Sequence, residues 1–73
     1  MSIELDPINF EYDGFKYHLF TSVCEEHRNQ VDFVRLVMIP SGRELSVFSR
    51  PQIETDLQRV AFEKALQQVS ELE

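Results

Sequence analysis

The segment SVCEEHRNQVDF, residues 22–33, places the only cysteine of the chain beside two glutamates, a histidine and an aspartate. Cys24 and His27 have the C-x-x-H spacing that supplies two of the four ligands of a zinc site. His18 is the natural third ligand, but six residues of extended strand separate it from Cys24 by roughly 20 Å. The remaining possible ligands are Glu26 and Asp32. Because this match is incomplete, we predict no metal site and no cofactor.

A cysteine nucleophile is the second chemistry that this segment could support. It requires a base within reach and a lowered thiol pKa, and His27 follows Cys24 across a presumed turn. Catalysis would also require an oxyanion hole, and the sequence shows no feature that resembles one. The two glycines, Gly14 and Gly42, are both assigned to turns. We therefore predict no catalytic residues and no enzymatic activity. Cys24 is interpreted as a small hydrophobic residue at a strand end, and residues 25–30 as a solvated loop.

The charge of the chain bears on its possible partners. Thirteen acidic and seven basic residues give a formal net charge of -6, and the basic residues are scattered rather than gathered into a stripe for phosphates. A nucleic-acid-linked regulator remains as an alternative, with Arg35, Arg43 and Arg50 clustering on a sheet surface. Phe20 and Phe33 would then be the stacking groups. A third possibility is an acidic surface that mimics a polyanion or recruits a basic partner.

The amino terminus, MSIELDPINF, carries acids where a secretory signal would carry basic residues and an apolar run. A single cysteine fits a reducing compartment, and no stretch of the sequence approaches membrane-spanning length. We expect residues 1–73 to form one cytoplasmic domain that does not contact a membrane.

Two turn signals predict two β-hairpins. Asp13-Gly14 readily takes the backbone angles of a two-residue turn, and Ser41-Gly42 can form a second tip. The first register pairs Tyr12 with Phe15, Phe10 with Tyr17 and Ile8 with Leu19 on one face, and Glu11 with Lys16 and Asn9 with His18 on the other. The second register pairs Met38 with Leu45, Leu36 with Val47, Arg35 with Phe48 and Val37 with Ser46.

After Arg50-Pro51 the apolar spacing becomes helical. Thr55 and Gln58 match a capping box, in which each side chain bonds the backbone N–H of the other residue. The apolar stripe of the predicted helix consists of Leu57, Ala61, Phe62, Ala65, Leu66, Val69 and Leu72. The sequence therefore predicts an α+β fold, a four-stranded antiparallel β-meander with one C-terminal helix packed on one face.

The order of EYDGFKY, then PSGRELSVFSR, then a helix containing AFEKAL resembles small uncharacterised bacterial domains built as a β-meander plus a C-terminal helix. The resemblance implies this fold and a bacterial origin. It supplies no catalytic residue to carry over.

The sheet face opposite the helix, called the open face below, is the most informative surface of the predicted fold. Strand alternation assigns Ile8, Phe10, Tyr17, Leu19, Val34, Leu36, Met38, Leu45 and Val47 to the helix side. The expected interaction surface on the open face consists of Phe20, Phe33, Arg35, Val37 and Phe48. Aromatic residues with arginine are typical of interfaces, so we predict a small non-catalytic interaction or regulatory module, a homodimer or an adaptor. The alternative is that loops or the amino terminus fold over this face.

Overall fold

A computed structural model of the protein describes residues 2–71, which form five β-strands, one 3₁₀ turn and one α-helix. The strands are β1 (Ser2–Glu4), β2 (Ile8–Tyr12), β3 (Phe15–Cys24), β4 (Val31–Ile39) and β5 (Arg43–Phe48). The 3₁₀ turn is Arg50–Gln52 and helix α1 is Asp56–Glu71. The α+β class with an antiparallel sheet and a C-terminal helix is confirmed. The predicted strand number is wrong by one, because β1 was not expected.

The added strand lies on the same edge of β3 as β2. All pairings are antiparallel in the order β1-β3-β4-β5, and β2 pairs with the first half of β3. Ser2 stands opposite Cys24 and Ile8 stands opposite Leu19. Between β1 and β2 the backbone N–H of Leu5 still donates to Thr21, at 2.8 Å. Pro7, which cannot donate a ladder hydrogen bond, lies just before β2. The amino-terminal residues 2–4 therefore extend the sheet edge and do not cross the open face.

The β2–β3 hairpin has the predicted register in all five pairs, from Ile8 opposite Leu19 to Tyr12 opposite Phe15. Asp13 and Gly14 both have positive φ angles, 51° and 82°. These angles match the two-residue turn that follows the right-handed twist of the strands. The sequence signal and the observed turn therefore agree.

The β4–β5 hairpin differs from the predicted register. Met38 stands opposite Arg43, so four residues, 39–42, separate the last cross-strand pair, and the Gly42 N–H donates to the Met38 carbonyl at 2.8 Å. An irregularity between Leu36 and Val37 then shifts the pairing again, and Leu36 faces Ser46. The net displacement is one residue relative to the prediction, which exchanges the two faces of the end of β5.

This exchange decides which side of the sheet two side chains occupy. Phe48 stands opposite Val34 and is 2% exposed in the helix-side core, whereas Val47 is 51% exposed. The predicted placement of Phe48 on the open face is therefore wrong, and so is the burial of Val47 under the helix. Leu45, also assigned to the helix side, is exposed.

Helix α1 begins with the predicted capping box. The Gln58 N–H donates to Thr55 Oγ1 at 3.2 Å, and the Thr55 N–H donates to Gln58 Oε1 at 3.1 Å. The buried residues of α1 include Ala61, Phe62 and Ala65, as the helical spacing predicts. Leu72, the last member of the predicted stripe, lies outside the described residues. Within residues 2–71 no helix is both long and apolar enough to cross a membrane.

The core lies between α1 and one face of the sheet. From the sheet it contains Phe10, Tyr17, Leu19, Val34, Leu36 and Phe48, and from α1 it contains Ala61, Phe62 and Ala65. Phe10 and Tyr17 are cross-strand partners with ring centres 5.4 Å apart, a separation at which aromatic pairs attract beyond their burial. The alternation of the strands leaves the other face of β3 and β4 as the open face.

Candidate functional site

The centre of the open face is an arginine stacked on an aromatic ring. Phe20 of β3 and Arg35 of β4 are cross-strand partners, and the guanidinium carbon lies 4.3 Å from the centre of the Phe20 ring. Arg35 also forms ion pairs with Glu4 on β1, at 3.3 Å, and with Glu44 on β5, at 3.6 Å. One side chain thus connects four strands across the surface.

Apolar groups surround this arginine. Phe20 and Phe33 are partly exposed, and Val37, which stands opposite His18, is 9% exposed. Val47 stands opposite Arg35 on the other side and is half-exposed. The open face is therefore a mixed surface, with an ionic centre and an apolar border.

The register brings four of the five residues predicted for this surface to one side of the sheet, and one of these, Val37, is buried there. Phe20 and Arg35 are direct partners, and Phe33 and Val37 flank Arg35 along β4 at the alternate positions that share its face. Phe48 does not belong to the group, because its side chain lies in the core. Val47 takes its place, and strand alternation would have indicated it if the bulge in β5 had been recognisable.

The segment that contains Cys24 and His27 forms the connection between β3 and β4. Its six residues 25–30 are all exposed, as predicted for a loop. Main-chain hydrogen bonds close it, from the Cys24 N–H to Gln30 at 3.1 Å and from the Gln30 N–H to His27 at 2.8 Å. Among residues 2–71 no three Cys, His, Asp or Glu side chains lie close enough to hold a metal ion together.

The arginines considered for nucleic acid do not lie on one surface. Arg35 is on the open face, whereas the Arg50 guanidinium lies 5.4 Å from the ring centre of Phe62, a helix residue of the core on the other side of the sheet. The Arg35 guanidinium covers one face of the Phe20 ring. Arg35 therefore lies with Phe20 and Phe33 on the open face, and Arg50 does not join them there.

Comparisons with models of protein families, with curated proteins and with solved structures gave no match. The surface itself is the basis on which a function can be assigned.

Proposed function

We propose that this protein is a non-catalytic interaction module that binds another protein through its open face, and that a second copy of the chain is the partner. The proposal depends on one observation above all, the group of partly exposed Phe20 and Phe33 around the stacked Arg35. A small cytoplasmic domain of bacterial type is the setting that the sequence favours for such a module.

The composition of the open face is unusual for a sheet surface in contact with water. An antiparallel sheet packed on one side alternates apolar residues toward the core with polar residues toward solvent. Here the outward positions of β4 are Phe33, Arg35 and Val37. Aromatic residues and arginine are enriched in interfaces, and their burial against a partner would remove apolar area from water.

The charges of the open face favour a second copy as the partner. Arg35 lies between two carboxylates, those of Glu4 and Glu44, so the face contains both signs of charge. A two-fold axis parallel to the strands, between β4 and β5, would set β4 of each copy over β5 of the other, so that Arg35 of each copy lies over the strand that carries Glu44 of the other. Reciprocal pairs between Arg35 of one copy and Glu44 of the other would fix the register of such an interface.

Sedimentation velocity over a wide concentration range tests the proposal. Phe33→Glu replaces an apolar ring of the expected interface, next to Arg35, with a charge and should shift the protein to the monomer. Phe15→Glu is the matched control, because Phe15 is 54% exposed at the turn of the first hairpin, away from the Arg35 group. We expect the wild-type chain and Phe15→Glu to form the same dimer.

Circular dichroism of both variants would verify that they are folded. A wild-type chain that remains monomeric up to millimolar concentration would exclude a second copy as the partner. Equal dimerisation of the wild type and a folded Phe33→Glu variant would exclude the open face as the interface.

A further inference from the structure

A second surface, on the helix side of the sheet, has the features of a ligand site. A cleft of about 530 Å³ opens between the β3–β4 loop, the 3₁₀ turn and α1. Its lining residues are Asn29, Gln30, Val31, Arg50, Phe62 and Leu66. Polar groups form most of the accessible lining of this concave space, and apolar groups form the rest.

Arg50 is held at the border of this cleft by local structure. The Ser49 N–H donates to Gln52 Oε1 at 2.8 Å, and the Gln52 N–H donates to the Ser49 carbonyl at 2.9 Å, which closes the 3₁₀ turn around Arg50. The guanidinium carbon lies 5.4 Å from the ring centre of Phe62. When the flat face of a guanidinium packs on an aromatic ring, the N–H groups at the guanidinium edge remain available to a planar anion.

Arg50 differs from two other arginines in its ion pairing. Arg35 and Arg59 each pair with two carboxylates, and the hydrogen bond to Asp56, with the charge of Glu63, raises the pKa of Arg59 above its ordinary value. Within residues 2–71 no carboxylate lies within 4.0 Å of the Arg50 guanidinium. Among the described residues Arg50 therefore has no carboxylate partner, and its charge is available to an anion in the cleft.

The other lining residues of the cleft indicate which groups the rest of the ligand would carry. Gln30 is fixed through its backbone by hydrogen bonds to Cys24 and His27, so the loop holds its position beside the cleft. Asn29 and Gln30 are exposed and carry amide groups, which can donate or accept. Val31 and Leu66 are partly buried and provide apolar contact.

We infer that this cleft binds a small organic carboxylate with an apolar body. Arg50 receives the carboxylate through two parallel N–H donors, Asn29 and Gln30 supply further hydrogen bonds, and the apolar body lies against Val31 and Leu66. This site is separate from the open face, so the outcome of its test does not depend on the dimer.

The test is a titration of the ¹⁵N-labelled full chain with phenylacetate, followed by NMR. We expect saturable shifts of the side-chain amide signals of Asn29 and Gln30. Arg50→Gln, which keeps hydrogen-bonding capacity and removes the charge, should weaken binding at least tenfold. Arg28→Gln is the matched control, because Arg28 is exposed on the same loop and does not line the cleft; its affinity should equal that of the wild type.

Two further probes examine the two parts of the ligand. Phenylacetamide has the same apolar body without the charge and should bind at least tenfold more weakly than phenylacetate. Inorganic phosphate has charge without the apolar body and should not compete with phenylacetate at equal concentration. The inference is overturned if phenylacetate gives no saturable shift, if Arg50→Gln binds it as tightly as the wild type, or if either probe equals it.

Discussion

Arg35 and Phe20 are cross-strand partners on the sheet surface opposite the helix, and the Arg35 guanidinium carbon lies over the Phe20 ring, 4.3 Å from its centre. The guanidinium also reaches Glu4 on one side and Glu44 on the other. The same contacts that connect four strands also hold the aromatic ring in a fixed position. The open face is therefore ordered by interactions within the chain before any partner binds.

A double-mutant cycle measures the strength of this pair. Arg35→Met removes the charge and keeps an aliphatic side chain, and Phe20→Leu removes the ring. Because partly exposed cation–π contacts contribute about 0.5–1 kcal/mol, we expect a coupling free energy of this size from urea unfolding of the two single variants and the double variant. Additive effects, with no coupling, would show that the contact does not stabilise the fold.

Phe48 and Val47 provide a test of the register of β5. Phe48→Ala removes a core side chain that is 2% exposed, and such changes cost about 3–5 kcal/mol because a cavity remains. Val47→Ala changes a half-exposed side chain, and its effect on the free energy of unfolding should stay within about 0.5 kcal/mol. Chemical denaturation of both variants checks this expectation. A larger loss of stability in Val47→Ala than in Phe48→Ala would instead support the register expected from the sequence.

The two hairpins show why one register was predictable and the other was not. In the first, Asp13-Gly14 specifies a two-residue turn, and both faces of the pairing are chemically matched, with Glu11 opposite Lys16. In the second, Ser41-Gly42 is only part of a four-residue loop, and a bulge in β5 follows it. Several apolar registers fit such a sequence almost equally well, so periodicity alone does not select one.

Gly14→Ala tests the contribution of the first turn. Gly14 has a φ of 82°, and a Cβ added there would meet nothing within 4 Å. The cost of alanine should therefore come from the backbone alone and amount to about 1–2 kcal/mol. Gly14→Asn is the control, because asparagine accepts left-handed angles more readily, and it should lose less. Thermal unfolding monitored by circular dichroism compares the variants; equal losses would contradict a backbone origin.

The helix and most of the core were predictable, because the Thr55–Gln58 capping box and the spacing of Ala61, Phe62 and Ala65 follow local rules. Strand β1 was not predictable, since the three residues Ser2–Glu4 are too few to show alternation. The ion pairs of Arg35 also depend on it, because Glu4 reaches Arg35 only through the pairing of β1 with β3. The cleft around Arg50 joins a loop, a 3₁₀ turn and a helix that are distant in sequence, so no local pattern indicated it.

The arrangement of two short strands along one edge of β3 has a consequence for how the protein folds. Tyr12 and Phe15 meet after only a two-residue turn, whereas the meeting of Ser2 and Cys24 closes almost the whole first third of the chain. Loop closure costs more entropy when the loop is longer, so the half of β3 next to β2 should be protected early from hydrogen exchange during refolding. The edge of β3 next to β1 should become protected later than the edge next to β2, when Glu4 reaches Arg35. The ionic centre of the open face is thus completed only when the short strand β1 pairs with β3.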